Sequence, residues 1–175
     1  MRLKDGMRRV RIVLLFVVGG VLGVAPSPYA RGEPFANMTY RIGDEVSSRE
    51  VKLVDGQYRD GLLCVYYDGD AVYGDFNKDG LTDAAVVISD SGCGSGYSLN
   101  LTFLINDGKK LVHESSYDLG YKSQVTFLVE WQGQVVVDTL VQEDVGALPI
   151  HVRNIYAYAG PTRWGPQRND PVTAP

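Results

Sequence analysis

A polar loop at residues 75–83 carries oxygen atoms that could bind a metal ion. Counting from its first residue, carboxylate or amide oxygens occur at loop positions 1, 3, 5 and 9, on Asp75, Asn77, Asp79 and Asp83. Gly80 occupies position 6, where a short loop around an ion must reverse, and the backbone carbonyl of Leu81 at position 7 would complete the inner ring. Oxygen-only ligands in irregular geometry favour Ca²⁺ over Zn²⁺ or copper, so the pattern predicts a calcium loop.

The loop has five of the features of an EF-hand loop and lacks the sixth. Position 12 is Val86 in place of a bidentate glutamate, and the loop runs into strand residues rather than into a helix. We therefore expect weak binding, with a dissociation constant of about 10⁻⁴–10⁻³ M, and a structural role at the start of a strand. The alternative is a metal-free turn, because Asp, Asn and Gly are ordinary turn residues whose side chains bond to the nearby backbone.

The segments around the loop are predicted to be β-strands. Apolar residues alternate in 99–105 and again in 125–131, where one face is expected to carry Val125, Phe127, Val129 and Trp131. Residues 83–89 are almost entirely apolar after the first, which predicts a central strand covered on both faces. Turn signals at 106–108 and 132–133 predict hairpins. The expected fold class is mainly β, an antiparallel or meander sheet domain with few short helices, with a β-rich α+β fold as the alternative.

The two ends of the chain do not carry the pattern of a packed domain. Residues 1–25 combine a basic start with fourteen uncharged residues, which predicts a signal peptide cleaved after Ala25 or Ala30, with an uncleaved anchor as the alternative. The apolar pattern of a single β-rich domain runs over residues 37–159. The proline-rich segment 160–175 is predicted to be a disordered tail. The protein is therefore expected to be exported, to the periplasm or the extracellular space, without a stable membrane span after cleavage.

The charge of the predicted mature chain is strongly acidic. Residues 1–25 hold five basic residues and one acidic residue, which leaves 12 basic and 20 acidic residues, a net charge of −8. Nucleic acid is therefore excluded as a partner, and anionic membrane surfaces are disfavoured. Residues 64–83 contain five aspartates, with only Lys78 to offset them, and a bound cation would relieve that repulsion.

The chain contains two cysteines, Cys64 and Cys93. Export into an oxidising compartment favours a disulfide between them, which would add roughly 3–4 kcal/mol to the free energy of unfolding. Spacing alone does not show that the two Cα atoms approach each other, so two buried free thiols are the alternative. Neither histidine is close to them in sequence, which argues against a zinc site.

The sequence around the loop resembles a family of small exported bacterial proteins. The segments VKLVDGQY, AVYGDFNKDGLTDAAVVI, GSGYSLNLTFLINDG and VVVD match the family pattern of LxDGxY, YGDLNGDGxxDAAVVL, GSGTFYYL with a DG turn, and IxVD. The loop is also similar to the DxNxDG loops of integrin-like FG-GAP repeats, which likewise lead into a strand. The match spans roughly residues 37–140 and implies fold and export, but no activity. Phe76 and Lys78 replace the usual Leu and Gly, and Cys93 replaces a small or polar residue, so a disulfide would be particular to this chain.

Other side chains suggest rival functions. The eleven tyrosines and two tryptophans, among them those of CVYY, IYAYA and Trp131, could form a platform for a glycan or an envelope protein, although aromatic residues also fill β-sheet cores. A triad of Ser115, His151 and an aspartate would indicate a hydrolase, but no nucleophile elbow is present. The leading prediction is an exported, non-enzymatic β-rich protein with one structural Ca²⁺ loop and an unknown partner. A glycan- or protein-binding module is the alternative, and a hydrolase is a third.

Overall fold

The structure, a computed structural model, describes residues 33–43, 48–141 and 148–161. Within these ranges the chain forms one short helix and ten strands, namely α1 (Glu33–Ala36), β1 (Thr39–Ile42), β2 (Arg49–Lys52), β3 (Gln57–Arg59), β4 (Cys64–Gly74), β5 (Asp83–Ser91), β6 (Ser98–Asn106), β7 (Leu111–Tyr121), β8 (Gln124–Trp131), β9 (Gln134–Val141) and β10 (Ile150–Ala157). The mainly β fold predicted from the sequence is confirmed. The predicted signal peptide at 1–25 with its two cleavage sites, and the predicted tail beyond residue 161, lie outside the described residues.

The ten strands are divided among three antiparallel sheets. Five consecutive strands form the largest sheet, in the order β3-β4-β5-β6-β7. Strands β8, β9 and β10 form a second sheet, and β1 and β2 form a two-stranded ribbon. Within each sheet, strands that follow one another in sequence pair, so the meander connectivity expected from the closely spaced turn signals is present.

Strand β5 lies at the centre of the large sheet and is buried on both faces. Successive side chains of a strand point to opposite faces. One face carries Ala84, Val86 and Ile88 into a core shared with α1 and the β1–β2 ribbon, and the other carries Ala85 and Val87 into a core shared with the three-stranded sheet. All five side chains are at most 1% exposed. This explains why residues 83–89 show a continuous apolar run instead of alternation, as predicted.

Aromatic side chains organise both cores. In the core against the three-stranded sheet, the Phe103 ring meets Phe76 and Tyr117 edge-on, with ring centroids 5.1 and 5.5 Å apart. On the opposite side of the sheet, Phe35 of α1 is completely buried and its carbonyl accepts a hydrogen bond from the Tyr40 hydroxyl (2.9 Å). Edge-on pairs of this kind add to the free energy gained from burial alone. The helix therefore packs into the core although it precedes residue 37, where the apolar pattern of the sequence begins.

The predicted hairpins are present. Gln132 and Gly133 join β8 to β9 with φ values of 54° and 77°, the two positive angles of a type I′ turn. Between β6 and β7, Asn106 closes the turn by accepting a hydrogen bond at Oδ1 from the Gly108 N–H (3.0 Å), and Gly108 has φ 84°. Both turns keep their strands in register with the cores.

The side-chain alternation predicted for β8 is wrong beyond its second residue. The pairing with β9 shifts between Val125 and Phe127, so Thr126 is an extra residue on β8. An odd insertion moves all later side chains to the opposite face. Val125 consequently packs against the core, whereas Phe127 and Trp131 are 48% and 53% exposed.

The two cysteines form a disulfide. Cys64 opens β4, Cys93 follows β5, and their Cα atoms are 5.0 Å apart. The predicted bridge is therefore confirmed, and the alternative of two free thiols is wrong. The bridge joins residues 29 apart in sequence and fixes the loop after β5 to the start of β4.

Candidate functional site

The loop at 75–83 leaves β4 and leads directly into β5. Its first side chain, Asp75, accepts hydrogen bonds from two backbone N–H groups across the loop, Asp79 at Oδ1 and Gly80 at Oδ2, both at 3.0 Å. Lys78 and Gly80 have φ values of 63° and 86°, left-handed conformations that reverse the chain. The reversal that the sequence predicts at Gly80 is therefore part of the fold.

The side chains of Asn77 and Asp79 lie beside Asp75. Asn77 Oδ1 is 3.0 Å from the Asp79 nitrogen, the same atom that donates to Asp75 Oδ1. Asn77 Nδ2 donates to Asp79 Oδ2 (2.7 Å), and the Leu81 N–H donates to Asp79 Oδ1 (2.8 Å). Asp75 and Asp79 are exposed, and Asn77 is half-buried. Hydrogen bonds thus join the side chains at loop positions 1, 3 and 5, and the oxygens of the first two share the Asp79 amide as donor.

Asp83 differs from the other loop carboxylates because it lies inside the protein. It is completely buried. Its Oδ2 accepts hydrogen bonds from the backbone N–H groups of Phe76 (2.8 Å) and Asn77 (3.3 Å), and its Oδ1 accepts one from Asn106 (2.8 Å) in the β6–β7 turn. A buried carboxylate is tolerated when such donors surround it. Asp83 therefore ties the loop to a neighbouring hairpin.

Carboxylates alone do not make a metal centre here. In the described part of the chain, no three acidic, histidine or cysteine side chains come together in a group that could hold a metal ion. Asp75 and Asp79 face the solvent, whereas Asp83 points inward. The remaining donors of the predicted set are the Asn77 amide and the carbonyl of Leu81. A metal site at this loop must therefore use neutral oxygen atoms beside the two exposed carboxylates.

Two acidic residues that the sequence analysis did not single out lie on β4. The strand carries two extra residues between Tyr67 and Ala71, and Gly69 within this bulge has φ 89°. Because the insertion is even, side chains before and after it keep their faces. Asp68 and Asp70 both line a cleft in front of β8. The signal in the sequence was a glycine between two aspartates inside an otherwise apolar strand, which is typical of a bulge.

Protein surroundings raise the pKa of both of these carboxyl groups. Partial burial raises the pKa of Asp68, the Ser89 hydroxyl that donates to its Oδ1 (3.1 Å) opposes this, and the charge of Asp70 adds to it. Partial burial also raises the pKa of Asp70. Both residues remain accessible to solvent through the open side of the cleft. These two carboxylates therefore lie close to each other and are accessible to a ligand from solvent, whereas Asp83 is not.

His113 and Ser116 lie within hydrogen-bond distance and superficially resemble a base and its nucleophile. A bulge at Glu114 places both side chains on one face of β7, with 3.0 Å between His113 Nε2 and Ser116 Oγ. However, His113 Nδ1 accepts the backbone N–H of Arg41 (2.9 Å), so a neutral ring must carry its proton on Nε2 and donate it to Ser116. Burial also lowers the pKa of His113 to about 3, with a smaller effect from Arg41. This ring cannot take a proton from Ser116.

The free energy of unfolding should decrease as the pH is lowered, because of His113. The unfolded-state pKa is about 6.5 and the folded-state value is lower, so between pH 6.5 and about 3 only the unfolded chain binds this proton. The expected loss is about 1.4 kcal/mol per pH unit below 6.5, with full stability above it.

Urea unfolding of the wild type and of His113→Asn from pH 7.5 to 5 measures this, since asparagine retains an acceptor near Nδ1 and does not titrate. Parallel pH profiles for the two proteins would contradict the assignment. The raised pKa values of Asp68, Asp70 and Asp90 increase the free energy of unfolding as the pH is lowered. This contribution is the same in the wild type and in His113→Asn, so it cancels when the two pH profiles are subtracted.

The triad considered from the sequence is not assembled in the described residues. Ser115 is buried on β7, and its hydroxyl has no hydrogen-bond partner there. His151 is an exposed residue of β10. The two side chains make no hydrogen bond with each other, so no nucleophile is activated at this pair.

The aromatic residues named in the sequence analysis lie in different parts of the structure. Tyr156 is buried in the core, and Tyr158 is half-buried against Phe103. Trp131 and Phe127 are exposed on β8, whereas Tyr66 of β4 lines the cleft beside Asp68. Aromatic surface is therefore exposed in several separate places, among them β8, the cleft, and Tyr121 at the end of β7, which is 59% exposed.

No helix in the described residues is long and apolar enough to cross a membrane. Comparison of the chain with models of protein families, with curated proteins and with solved structures gave no match.

Proposed function

We propose that the chain is an exported, non-enzymatic β-rich protein whose loop at 75–83 binds one structural Ca²⁺. The observation that carries the proposal is the convergence of Asp75 Oδ1 and Asn77 Oδ1 on the Asp79 amide, with the Asp79 carboxylate beside them. Hydrogen bonds from the loop backbone to its first carboxylate orient that carboxylate before an ion arrives. Little conformational entropy then has to be lost on binding.

The donor chemistry of the loop fits a calcium ion. Asp75, Asn77 and Asp79 would hold the ion from the exposed side, with the Leu81 carbonyl as a further oxygen. Asp83, the last member of the set that the sequence pattern assigns, is buried and accepts backbone N–H groups, so it would support the loop from inside. Every donor in this set is an oxygen, as a hard cation of irregular coordination requires. When bound, the ion would supply positive charge beside the aspartates of the loop.

The position of the loop supports a structural role. It is followed without a gap by β5, the strand that both cores share. Fixing the loop therefore fixes where β5 begins. The ion would also offset the repulsion between Asp75 and Asp79, which have no ion pair among the described residues.

Export and the absence of enzymatic activity are parts of the same proposal. A disulfide within the domain is compatible with an oxidising compartment, and the apolar N-terminal segment of the sequence has the length of a signal peptide. The Ser116–His113 contact has the wrong proton arrangement for a nucleophile and its base. The partner would be a component of the cell envelope or a glycan.

Thermal unfolding in different metal ions tests the calcium loop. The purified protein is melted in EGTA, in CaCl₂ and in MgCl₂. Calcium at about ten times its dissociation constant stabilises the folded state by ~1.4 kcal/mol, which should raise the midpoint by about 5 °C. Magnesium should have a smaller effect, because it requires a stricter octahedral geometry.

Two variants make the result specific to the loop. Asp79→Ala should abolish the calcium-dependent rise. Asp107→Ala is the matched control, because Asp107 is also an exposed turn aspartate that accepts two backbone N–H groups, from Lys109 and Lys110. It should lose some stability and keep the full calcium response. An equal midpoint in all three solutions for the wild-type protein would make the loop a metal-free turn.

A further inference from the structure

A cleft of about 740 Å³ separates the large sheet from the start of β8. Asp68 and Asp70 of β4 and Ser89 of β5 line one side, and Gln124 and Val125 of β8 line the other. The disulfide residue Cys93 lies at its border. The volume is in the range of small-molecule sites, which are concave and contain a few polar groups. Within the described chain, no residue of the calcium loop contributes to this lining.

Two tyrosine rings in the cleft are fixed in place and remain accessible. The Arg59 guanidinium lies over the Tyr66 ring, 5.3 Å from its centroid. The Tyr97 hydroxyl donates to the backbone carbonyl of Ser123 (3.2 Å), and the residue is still 37% exposed. A tyrosine offers a flat apolar surface at little entropic cost, because few torsions must be ordered on binding.

The two carboxylates offer hydrogen-bond acceptors that the described residues leave largely unused. Asp68 Oδ1 accepts the Ser89 hydroxyl (3.1 Å), and Asp70 accepts no hydrogen bond from any described residue. An ionised carboxylate has about four acceptor sites, and hydrogen bonds to it are stronger than those between neutral groups. A ligand rich in hydroxyl groups could therefore donate to both residues at once.

The charges around the cleft disfavour an anionic ligand, because Asp68 and Asp70 repel anions. Arg59, also part of the lining, offsets one of these two charges and so weakens the attraction of a cationic ligand. Ser91 and Gln124, also in the lining, can each donate and accept, and Ser89, whose hydroxyl donates to Asp68, can still accept. Such groups suit a ligand with hydroxyl groups better than an ammonium ion, which only donates.

We propose that this cleft binds a neutral saccharide, with Asp68 and Asp70 accepting hydrogen bonds from its hydroxyl groups and Tyr66 and Tyr97 contacting its ring faces. Asp68 and Asp70 lie on either side of Gly69 within the β4 bulge, and both line the cleft. The site is separate from the calcium loop. Its occupancy does not depend on a metal ion in that loop.

The test follows backbone amide signals of the ¹⁵N-labelled protein by NMR during titration with defined probes. The neutral probes are cellohexaose, chitohexaose, maltohexaose and xylohexaose, a cationic probe is spermidine, and an anionic probe is oligogalacturonate. All titrations contain the same CaCl₂ concentration, so that the state of the loop is constant. We expect saturable shifts at Ser89, Ser91 and Gln124 with at least one neutral oligosaccharide and none with the charged probes.

Variants separate recognition from folding. Asp70→Asn should weaken binding about 10-fold or more, because a hydrogen bond to a charged acceptor becomes a neutral one. Tyr66→Ala should weaken it several-fold, and its spectrum shows whether the fold is intact. Asp55→Asn is the matched control: this exposed turn residue has φ 50°, which asparagine tolerates, and it lies outside the cleft. Saturable shifts with spermidine alone, or no cleft shifts with any probe up to its solubility limit, would overturn the proposal. Equal affinity in wild type and Asp70→Asn would do the same.

Discussion

Replacing Asp83 with alanine is expected to lower the free energy of unfolding by about 3–5 kcal/mol, even without calcium. The carboxylate is completely buried and accepts three backbone hydrogen bonds, from Phe76, Asn77 and Asn106. Removing it leaves those N–H groups without partners, and each unsatisfied buried group costs about 1–3 kcal/mol. Urea unfolding in EGTA measures the loss, because EGTA removes any contribution from a bound ion.

Two further substitutions identify the cause of that loss. Asp83→Asn keeps the shape but turns one acceptor oxygen into a donor that faces N–H groups, so it should also destabilise strongly. Asp75→Ala removes a carboxylate that accepts two backbone N–H groups at an exposed position, where water can replace it, and should cost about 1 kcal/mol or less in EGTA. If Asp75→Ala and Asp83→Ala cost the same, the buried network does not have the importance assigned to it.

Removing the disulfide should have an effect of similar size. The bridge closes a loop between residues 29 apart in sequence, and the loop-entropy relation gives about 3–4 kcal/mol for that length. The double variant Cys64→Ala/Cys93→Ala avoids leaving polar thiols or hydroxyls at Cys64, which is 2% exposed. Its urea midpoint should fall well below that of the oxidised protein.

A reducing agent provides the control for the bridge. The wild-type protein in TCEP should approach the stability of the double variant, and TCEP should leave the double variant unchanged. A wild-type midpoint that does not respond to complete reduction would show that the loop after β5 is fixed by other contacts. The NMR titration of the cleft can be repeated on the reduced protein, since Cys93 borders that site.

The strands could be predicted from the sequence where a face is buried by simple alternation or where both faces are buried. Leu101 and Phe103 alternate into one core, and the apolar run at 84–88 marks the strand between the two cores. The hairpin at Gln132 and Gly133 followed from turn chemistry. In these segments the local sequence pattern agrees with the tertiary environment, so a single sequence is enough to predict the strands and the hairpin.

Bulges account for what the sequence did not reveal. A single inserted residue at Thr126 turns Phe127 and Trp131 outward, and another at Glu114 brings His113 beside Ser116. The two-residue bulge at Gly69 contains the two aspartates that line the cleft. Each depends on how a strand pairs with its neighbour, which periodicity within one strand does not encode.

The candidate loop was partly predictable for a related reason. The spacing of Asp75, Asn77 and Asp79 is local, and hydrogen bonds within the loop bring these side chains together. The inward direction of Asp83 is not local, because it depends on Asn106 in another hairpin, 23 residues away. Sequence spacing alone assigned all of these residues the same role.

Because β5 belongs to both cores, neither core can unfold without the other. Loss of either core would strip one face of β5 and leave Ala85 and Val87, or Val86 and Ile88, in water, so the other core would lose the wall on which it is built. The domain should therefore unfold cooperatively, as one thermodynamic unit in a single transition. The loop that precedes this strand and the disulfide that follows it then stabilise one shared element, and the whole domain depends on it.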